Sequence, residues 1–194
     1  MSSYFSIHKP FNVLSQFTSQ EGKQTLKDLF KFPVDAYPVG RLDYDSEGLL
    51  IITSDKTLNH KLLNPSFGHE REYWVQVDGA INEKALEQLT NGVEISIDGK
   101  THHTKPAIAS IFQAPPAVSE RNPPVRFRKS IPTSWISLTL TEGKNRQVRK
   151  MTAAVGFPTL RLIRYRIAGV TLDHMQPGDF TEWNRRDLFA LLGI

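Results

Sequence analysis

The sequence predicts an α+β protein: a mixed, largely antiparallel sheet bent across two lobes, with helices packed outside and a basic cleft across the strands. Three observations lead there. Short stretches with period-two or continuous apolar patterning recur along the chain and outnumber the amphipathic helical ones. Asp98-Gly99, between two such stretches, is a hairpin turn, which makes its flanking strands antiparallel. The 194 residues suffice for one full core or two small lobes sharing a cleft, but are short for two independent domains. One catalytic-sized domain over residues 1–194 is therefore expected.

The elements follow in order. Residues 3–9 alternate Tyr4, Phe5 and Ile7 with polar positions and meet Pro10, which makes a strand and a turn; 13–17 is a second short strand. Leu26, Leu29 and Phe30 form one face of a helix over 25–30 that Pro33 closes. Residues 49–52 are a buried strand. Ser54 or Asp55 caps a helix through Leu63, with Leu58, Leu62 and Leu63 inward. Residues 71–78 are a strand burying Tyr73, Val75 and Val77; 82–89 is a helix stopped by Asn91-Gly92. Strands over 93–97 and 101–112 flank the hairpin turn. Residues 114–132, with five prolines, exclude helix and central strand and form a long loop of the kind that is usually functional. A strand over 134–140, a helix from Asn145 to Gly156, strands over 160–166 and 169–172, and a helix over 186–192 complete the chain.

With no cysteine, the chain has no disulfide framework, thiol nucleophile or thiolate metal site, as suits a reducing cytoplasm. No run approaches the roughly 18 apolar residues of a membrane span, and residues 1–9 lack a secretory pattern. The formal charge of +4 hides a lopsided distribution: residues 121–166 hold eleven Lys or Arg against the single acid Glu142. Such a concentration is the footprint of a phosphate-tracking surface, and Phe127, Trp135 and Tyr165 are interleaved with it. A solvated basic face or an anionic-lipid patch would share the charge. The absence of an amphipathic anchor favours nucleic acid.

The most informative stretch, V-G-R-L-D-Y-D-S-E-G-L-L-I-I-T-S-D over 39–55, sets Asp43, Asp45, Glu47 and Asp55 around a core strand. In extended chain Arg41 and Asp43 would share a side, and a guanidinium can hold a partly buried carboxylate ionised. Asp43 is the candidate catalytic group. A simple turn before a core strand accounts for the same spacing. The second stretch, G-K-N-R-Q-V-R-K-M over 143–151, places Val148, Met151, Thr152 and Val155 on one helical stripe, Arg146 and Lys150 opposite it, and Arg149 at the boundary. There is no glycine-rich phosphate loop and no nucleophile elbow. His102 and His103, adjacent in a strand, point to opposite faces, so no metal site is implied.

These blocks resemble RsuA-type pseudouridine synthases. G-R-L-D-Y-D-S-E-G-L-L-I-I-T-S-D matches the family's nucleophile motif, and H-K-P-F-N-V-L, R-E-Y-W-V, E-G-K-N-R-Q-V-R-K-M and L-R-L-I-R follow the family's order over nearly the whole chain. The resemblance implies the pseudouridine synthase fold and a specific uridine in ribosomal RNA isomerised to pseudouridine. Asp43 would be the attacking aspartate, Arg149 its ion-pair partner, Tyr73 the ring stacked on a flipped-out uracil and Leu162 an apolar pocket wall, with Arg41 in support. The RNA would be gripped by Arg126, Arg128, Lys129, Lys144, Arg146, Lys150, Arg161 and Arg164. The chain resembles the shorter branch that acts on large-subunit ribosomal RNA and lacks a separate N-terminal RNA-binding module. The resemblance further implies no metal or organic cofactor; a monomer in the cytoplasm, with no membrane partner, is expected. An RNA-holding protein with an inactive cleft and a carboxylate hydrolase using Asp43 with Asp45 or Glu47 are the competing readings.

Overall fold

A computed structural model describes residues 2–126 and 130–194. The chain divides into two compact units, the first formed by Met1–His69 with Ile163–Ile194 and the second by Glu70–Leu162. The first begins with strand β1 (Tyr4–Lys9) and the short parallel pair β2 (Val13–Leu14) and β3 (Gln24–Thr25). Helix α1 (Leu26–Leu29), closed by a Thr25/Asp28 capping box, precedes β4 (Tyr37–Pro38) and β5 (Glu47–Thr53). Helix α2 (Lys56–Leu63) follows, capped by Asp55, whose side chain accepts from the Thr57 and Leu58 amides. The second unit comprises β6 (Arg71–Asp78), α3 (Glu83–Asn91), β7 (Glu94–Ile97), β8 (Lys100–His103), β9 (Ile108–Ile111), β10 (Thr133–Leu140) and α4 (Gln147–Ala154). Strand β11 (Thr159–Ile167) contains the unit boundary, and β12 (Val170–Thr171), β13 (Phe180–Glu182) and α5 (Arg185–Leu192) end the chain. The fold class is α+β with mostly antiparallel strands.

In the first unit, β1 runs antiparallel to both β13 and β5, and β5 runs parallel to β11. Every residue of β5 is buried, which is why its sequence is a continuous apolar run rather than an alternating one. Gly48 is required by this packing. A Cβ there would stand 2.4 Å from the Arg164 carbonyl oxygen and 2.5 Å from its amide nitrogen, at a φ of 116° that side chains rarely adopt. Phe5, Ile7, Leu50 and Ile52 then pack on Val13, Leu26 and Phe30.

In the second unit, β10 lies between β6 and β9, antiparallel to each. Tyr73, Val75 and Val77 on the inner face of β6 join Ile136 and Leu138 of β10, Ala85 and Leu89 of α3, and Val148 and Met151 of α4. Each fully buried aliphatic side chain here contributes roughly 1.5–3 kcal/mol.

The structure departs from the sequence expectations at identifiable places. The strand expected over 101–112 is two strands, because the chain leaves the ladder before Lys105-Pro106 and turns: the Thr104 amide donates to Val93 O and the Ala107 amide to Thr90 O. The helix expected from Asn145 starts at Gln147, with Arg146 as its cap in the left-handed region at φ 54°. Leu29 and Leu63, expected inward, are 37% and 46% exposed; α1 is one turn long, and Leu63 lies a quarter turn from the buried Leu58–Leu62 stripe. The second strand stops at Leu14, and β4 and β13 are short additions that patterning does not reveal.

Candidate active site

Asp43 opens a tight turn before β5, in which the Ser46 amide donates to Asp43 O at 3.1 Å. Residues 12–15, which follow β1, pin this turn on both sides. The Ser15 hydroxyl donates to Leu42 O and accepts from Leu42 N, and the Asn12 amide donates to Tyr44 O at 2.9 Å. Asn12 can present its amide this way because it sits at φ 58°. Asp43 is half-buried and Arg41 is exposed.

Lys9, which sequence patterning does not single out, lies near the acids of this turn. Lys9, at the end of β1, is 0% exposed, and its Nζ donates to Val13 O at 2.7 Å and to Pro10 O at 2.9 Å. Burial pulls its pKa down to about 7, against the opposing attraction of Glu47, Asp45 and Asp43. A charged side chain within an otherwise buried strand and just before a proline was the signal available in the sequence. Glu47 is likewise buried, at 2% exposure. Arg164, expected among the RNA-facing bases, is 5% exposed, and its Nε donates to Leu49 O at 2.8 Å, bracing β5 from within the first unit.

In the second unit, Tyr73 and Leu162 belong to one apolar cluster, together with Val148, the neighbour of Arg149 on α4. Arg149 and Lys150 are half-buried, and Lys144, Arg146 and Arg126 are exposed. Arg161 departs from expectation as Arg164 does: it is 5% exposed and donates to Ser119 O at 2.9 Å, fastening the proline-rich loop instead of facing solvent. Trp135 is also buried. Arg128 and Lys129, together with Phe127, lie outside the described residues.

The loop before α4 has a built support. Glu142, 6% exposed, accepts from the Lys105 amide at 2.8 Å and Gln147 Nε2 at 2.7 Å and contacts His102 Nε2 at 3.3 Å, while Gln147 Oε1 accepts from the Lys144 amide. Burial pushes the Glu142 pKa up, but these donors outweigh it and the net shift is downward. His102 and His103 face opposite sides, and among the described residues no group of three or more His, Asp or Glu side chains could hold a metal. No helix among them is long and apolar enough to cross a membrane.

A family model described as RNA pseudouridylate synthase matches residues 3–154, which include Asp43, Tyr73 and Arg149. The chain belongs to the RNA pseudouridylate synthase family. As a pseudouridine synthase it is an isomerase. The synthase is 52% identical over 176 residues to the ribosomal large subunit pseudouridine synthase E of Vibrio parahaemolyticus, covering 90% of this chain and 71% of that one. It is 45% identical over 187 residues to the protein of the same name from Xanthomonas campestris, covering 95% and 96%. A crystal structure described as a pseudouridylate synthase aligns with a TM-score of 0.79 at 25% identity, over 98% of this synthase and 74% of that chain.

Proposed function

We propose that the synthase isomerises a specific uridine of large-subunit ribosomal RNA, with Asp43 as nucleophile and the target base turned out of its stack. The observation that carries this reading is the placement of Asp43 in a turn fixed by Ser15 and Asn12 beside a buried strand. Relatives bearing the name ribosomal large subunit pseudouridine synthase E, at 52% and 45% identity, support the substrate. A carboxylate must be ionised and held in place to attack. In the reaction the bond from ribose to uracil N1 breaks, the base turns, and a carbon takes its place; the carbon surrenders a proton and N1 gains one, so no atom is added or lost.

The other roles follow the resemblance. Arg149 stabilises the aspartate, Tyr73 offers its ring to the uracil and Leu162 walls the pocket, and the membership of Tyr73 and Leu162 in one cluster supports their acting together. Arg126, Lys144, Arg146 and Lys150 contact phosphates, offsetting the few kcal/mol that a flipped base costs. The synthase acts as a cytoplasmic monomer without metal or organic cofactor.

The test is to incubate the protein with unmodified ribosomal RNA, without added metal, and map pseudouridine for wild type and Asp43→Asn. New pseudouridine at a defined position, absent with the variant, is expected. RNA retained by both proteins with no isomerisation would overturn the reading in favour of a binding protein, and strand cleavage or base release in favour of a hydrolase.

A further inference from the structure

We infer that Glu142 and Gln147 are positioning residues for the isomerisation, holding the loop that carries Lys144 and Arg146 and the first turn of α4 that carries Arg149. This rests on the isomerase reading above, in which those cations serve phosphates and the Asp43 carboxylate, and adds to it the groups that fix where the cations stand.

Residues 144–150 go against local preference at several points at once. Arg146 sits at φ 54° and ψ 31°, a left-handed conformation that suits glycine or asparagine far better than arginine. It is also the cap residue of α4, and a guanidinium has no acceptor with which to receive the helix amides as Ser or Asp would. Lys144, Arg146, Arg149 and Lys150 gather at the end of α4 where the helix dipole is positive, and the first turn holds no acid to offset them. Stability alone would select other residues here. Such strain persists where surrounding contacts over-determine it and where the side chains are needed for what they do.

The contacts that over-determine it converge on one carboxylate. Glu142 Oε1 accepts from the Lys105 amide at 2.8 Å and from Gln147 Nε2 at 2.7 Å, and Oε2 lies 3.3 Å from His102 Nε2. Gln147 closes the loop from the other side: its Oε1 accepts from the Lys144 amide at 2.9 Å, and its backbone amide donates to Lys144 O at 3.1 Å. Both residues are buried. Segment 144–147 is thereby tied to itself and, through Glu142, to β8 and the chain between β8 and β9. A negative charge held just ahead of α4 also supplies what its first turn lacks.

An apolar contact could fasten the same segment to the core, as Val148 and Met151 do for the helix. Being non-directional, it could not select the conformation of 144–146, whereas hydrogen bonds to particular amides do. Arg149 follows Gln147 by two positions, so a shift of the first turn carries its guanidinium along.

The test compares Gln147→Met and Glu142→Gln with wild type. Methionine keeps the volume at 147 and removes both side-chain hydrogen bonds. Glutamine at 142 can reproduce the clamp: its oxygen replaces Oε1, and its NH2 donates to His102 Nε2 in the tautomer that leaves that nitrogen unprotonated. In the first arm, the amide resonances of 144–149 and the Arg149 Nε–H are followed in the free protein. They should move in Gln147→Met and stay near wild type in Glu142→Gln, while the amides of Val75 and Ile136 in the same core hold still. Unmoved resonances at 144–149, or equal movement at Val75 and Ile136, overturn the proposal.

The second arm measures kcat and KM on ribosomal RNA and the salt dependence of binding. Gln147→Met should lose about 100-fold in kcat, the scale of a displacement of about 1 Å at a catalytic group. Its log–log salt slope should flatten by about 1 for each phosphate contact given up. Glu142→Gln should keep most of the wild-type kcat. A folded Gln147→Met with wild-type kcat, or Glu142→Gln as impaired as Gln147→Met, overturns the proposal. Should Gln147→Met fail to fold, Glu142→Ala takes its place against the same two outcomes. Failure of the wild type to isomerise any RNA would bring down the isomerase reading, while the resonances and the salt slope would still decide whether the clamp holds the basic loop.

Discussion

Ser15 grips Leu42 on both sides of its Cα, donating to its carbonyl at 2.7 Å and accepting from its amide at 3.1 Å. The residue so held is the one before Asp43, and Ser15 is itself 7% exposed. Ser15→Ala leaves both groups of Leu42 without this partner, at a cost of roughly 1–3 kcal/mol. Thermal melting should fall by roughly 2–4 °C for each kcal/mol lost. Because a displacement of about 1 Å at a reacting group can cost about 100-fold in rate, single-turnover isomerisation should drop far more than RNA affinity. A folded variant with an unchanged rate would show that other contacts set the position of Asp43.

The buried amine of Lys9 makes stability depend on pH in a defined direction. Its pKa is lowered in the fold to about 7, from 10.5 in the unfolded chain. Between these values the unfolded chain holds more protons, so this residue makes unfolding free energy rise with pH by up to about 1.4 kcal/mol per pH unit. Below about 7 both states are protonated and the slope vanishes. Denaturant titrations across this range should show the slope in wild type and its loss in Lys9→Met; equal slopes would place the titration elsewhere.

Asp55 should behave in the opposite sense. Burial pushes its carboxyl pKa up, but the Tyr4 hydroxyl and the Leu58 and Thr57 amides outweigh it and hold the pKa below the usual value. The stability it gives is therefore present above the unfolded pKa and is lost as pH falls through the folded one. Asp55→Ala should cost about 1–2 kcal/mol at neutral pH as a lost helix cap. Asp55→Asn keeps an acceptor for the helix amides and should recover part of that while abolishing the acid-side dependence. Denaturation curves at neutral and acid pH check both.

Gly48→Ala should be among the most damaging single-methyl additions in the chain. The new Cβ would meet the Arg164 backbone, which is not the far end of a flexible side chain, at a φ of 116°. Overpacking costs about 1–3 kcal/mol and the unfavourable backbone region about 1–3 more. A melting temperature within a degree of wild type would mean that β5 and β11 separate at little cost.

Much of this was legible in the sequence because one physical rule dominated locally. Strand β6 coincides with its predicted 71–78 limits, since its buried face alternates cleanly, and α2 starts where Asp55 can cap it. Leu162 and Tyr73, widely separated in the chain and both apolar in pattern, belong to one core cluster. The losses occurred where long-range contacts decide. Arg161 and Arg164 look like surface charges in sequence, yet their guanidinium groups serve backbone carbonyls of distant segments.

The first unit is assembled from both ends of the chain, with β1 and β5 contributed early and β11 and β13 late. During translation, at roughly 5–20 residues per second, the early pair must wait for β13 beside β1 and β11 beside β5 while the whole of Glu70–Leu162 is made. Open strand edges invite pairing with other chains. A ribosome that stalls before residue 163 leaves β1 without β13 and the Glu47–Gly48 end of β5 without β11.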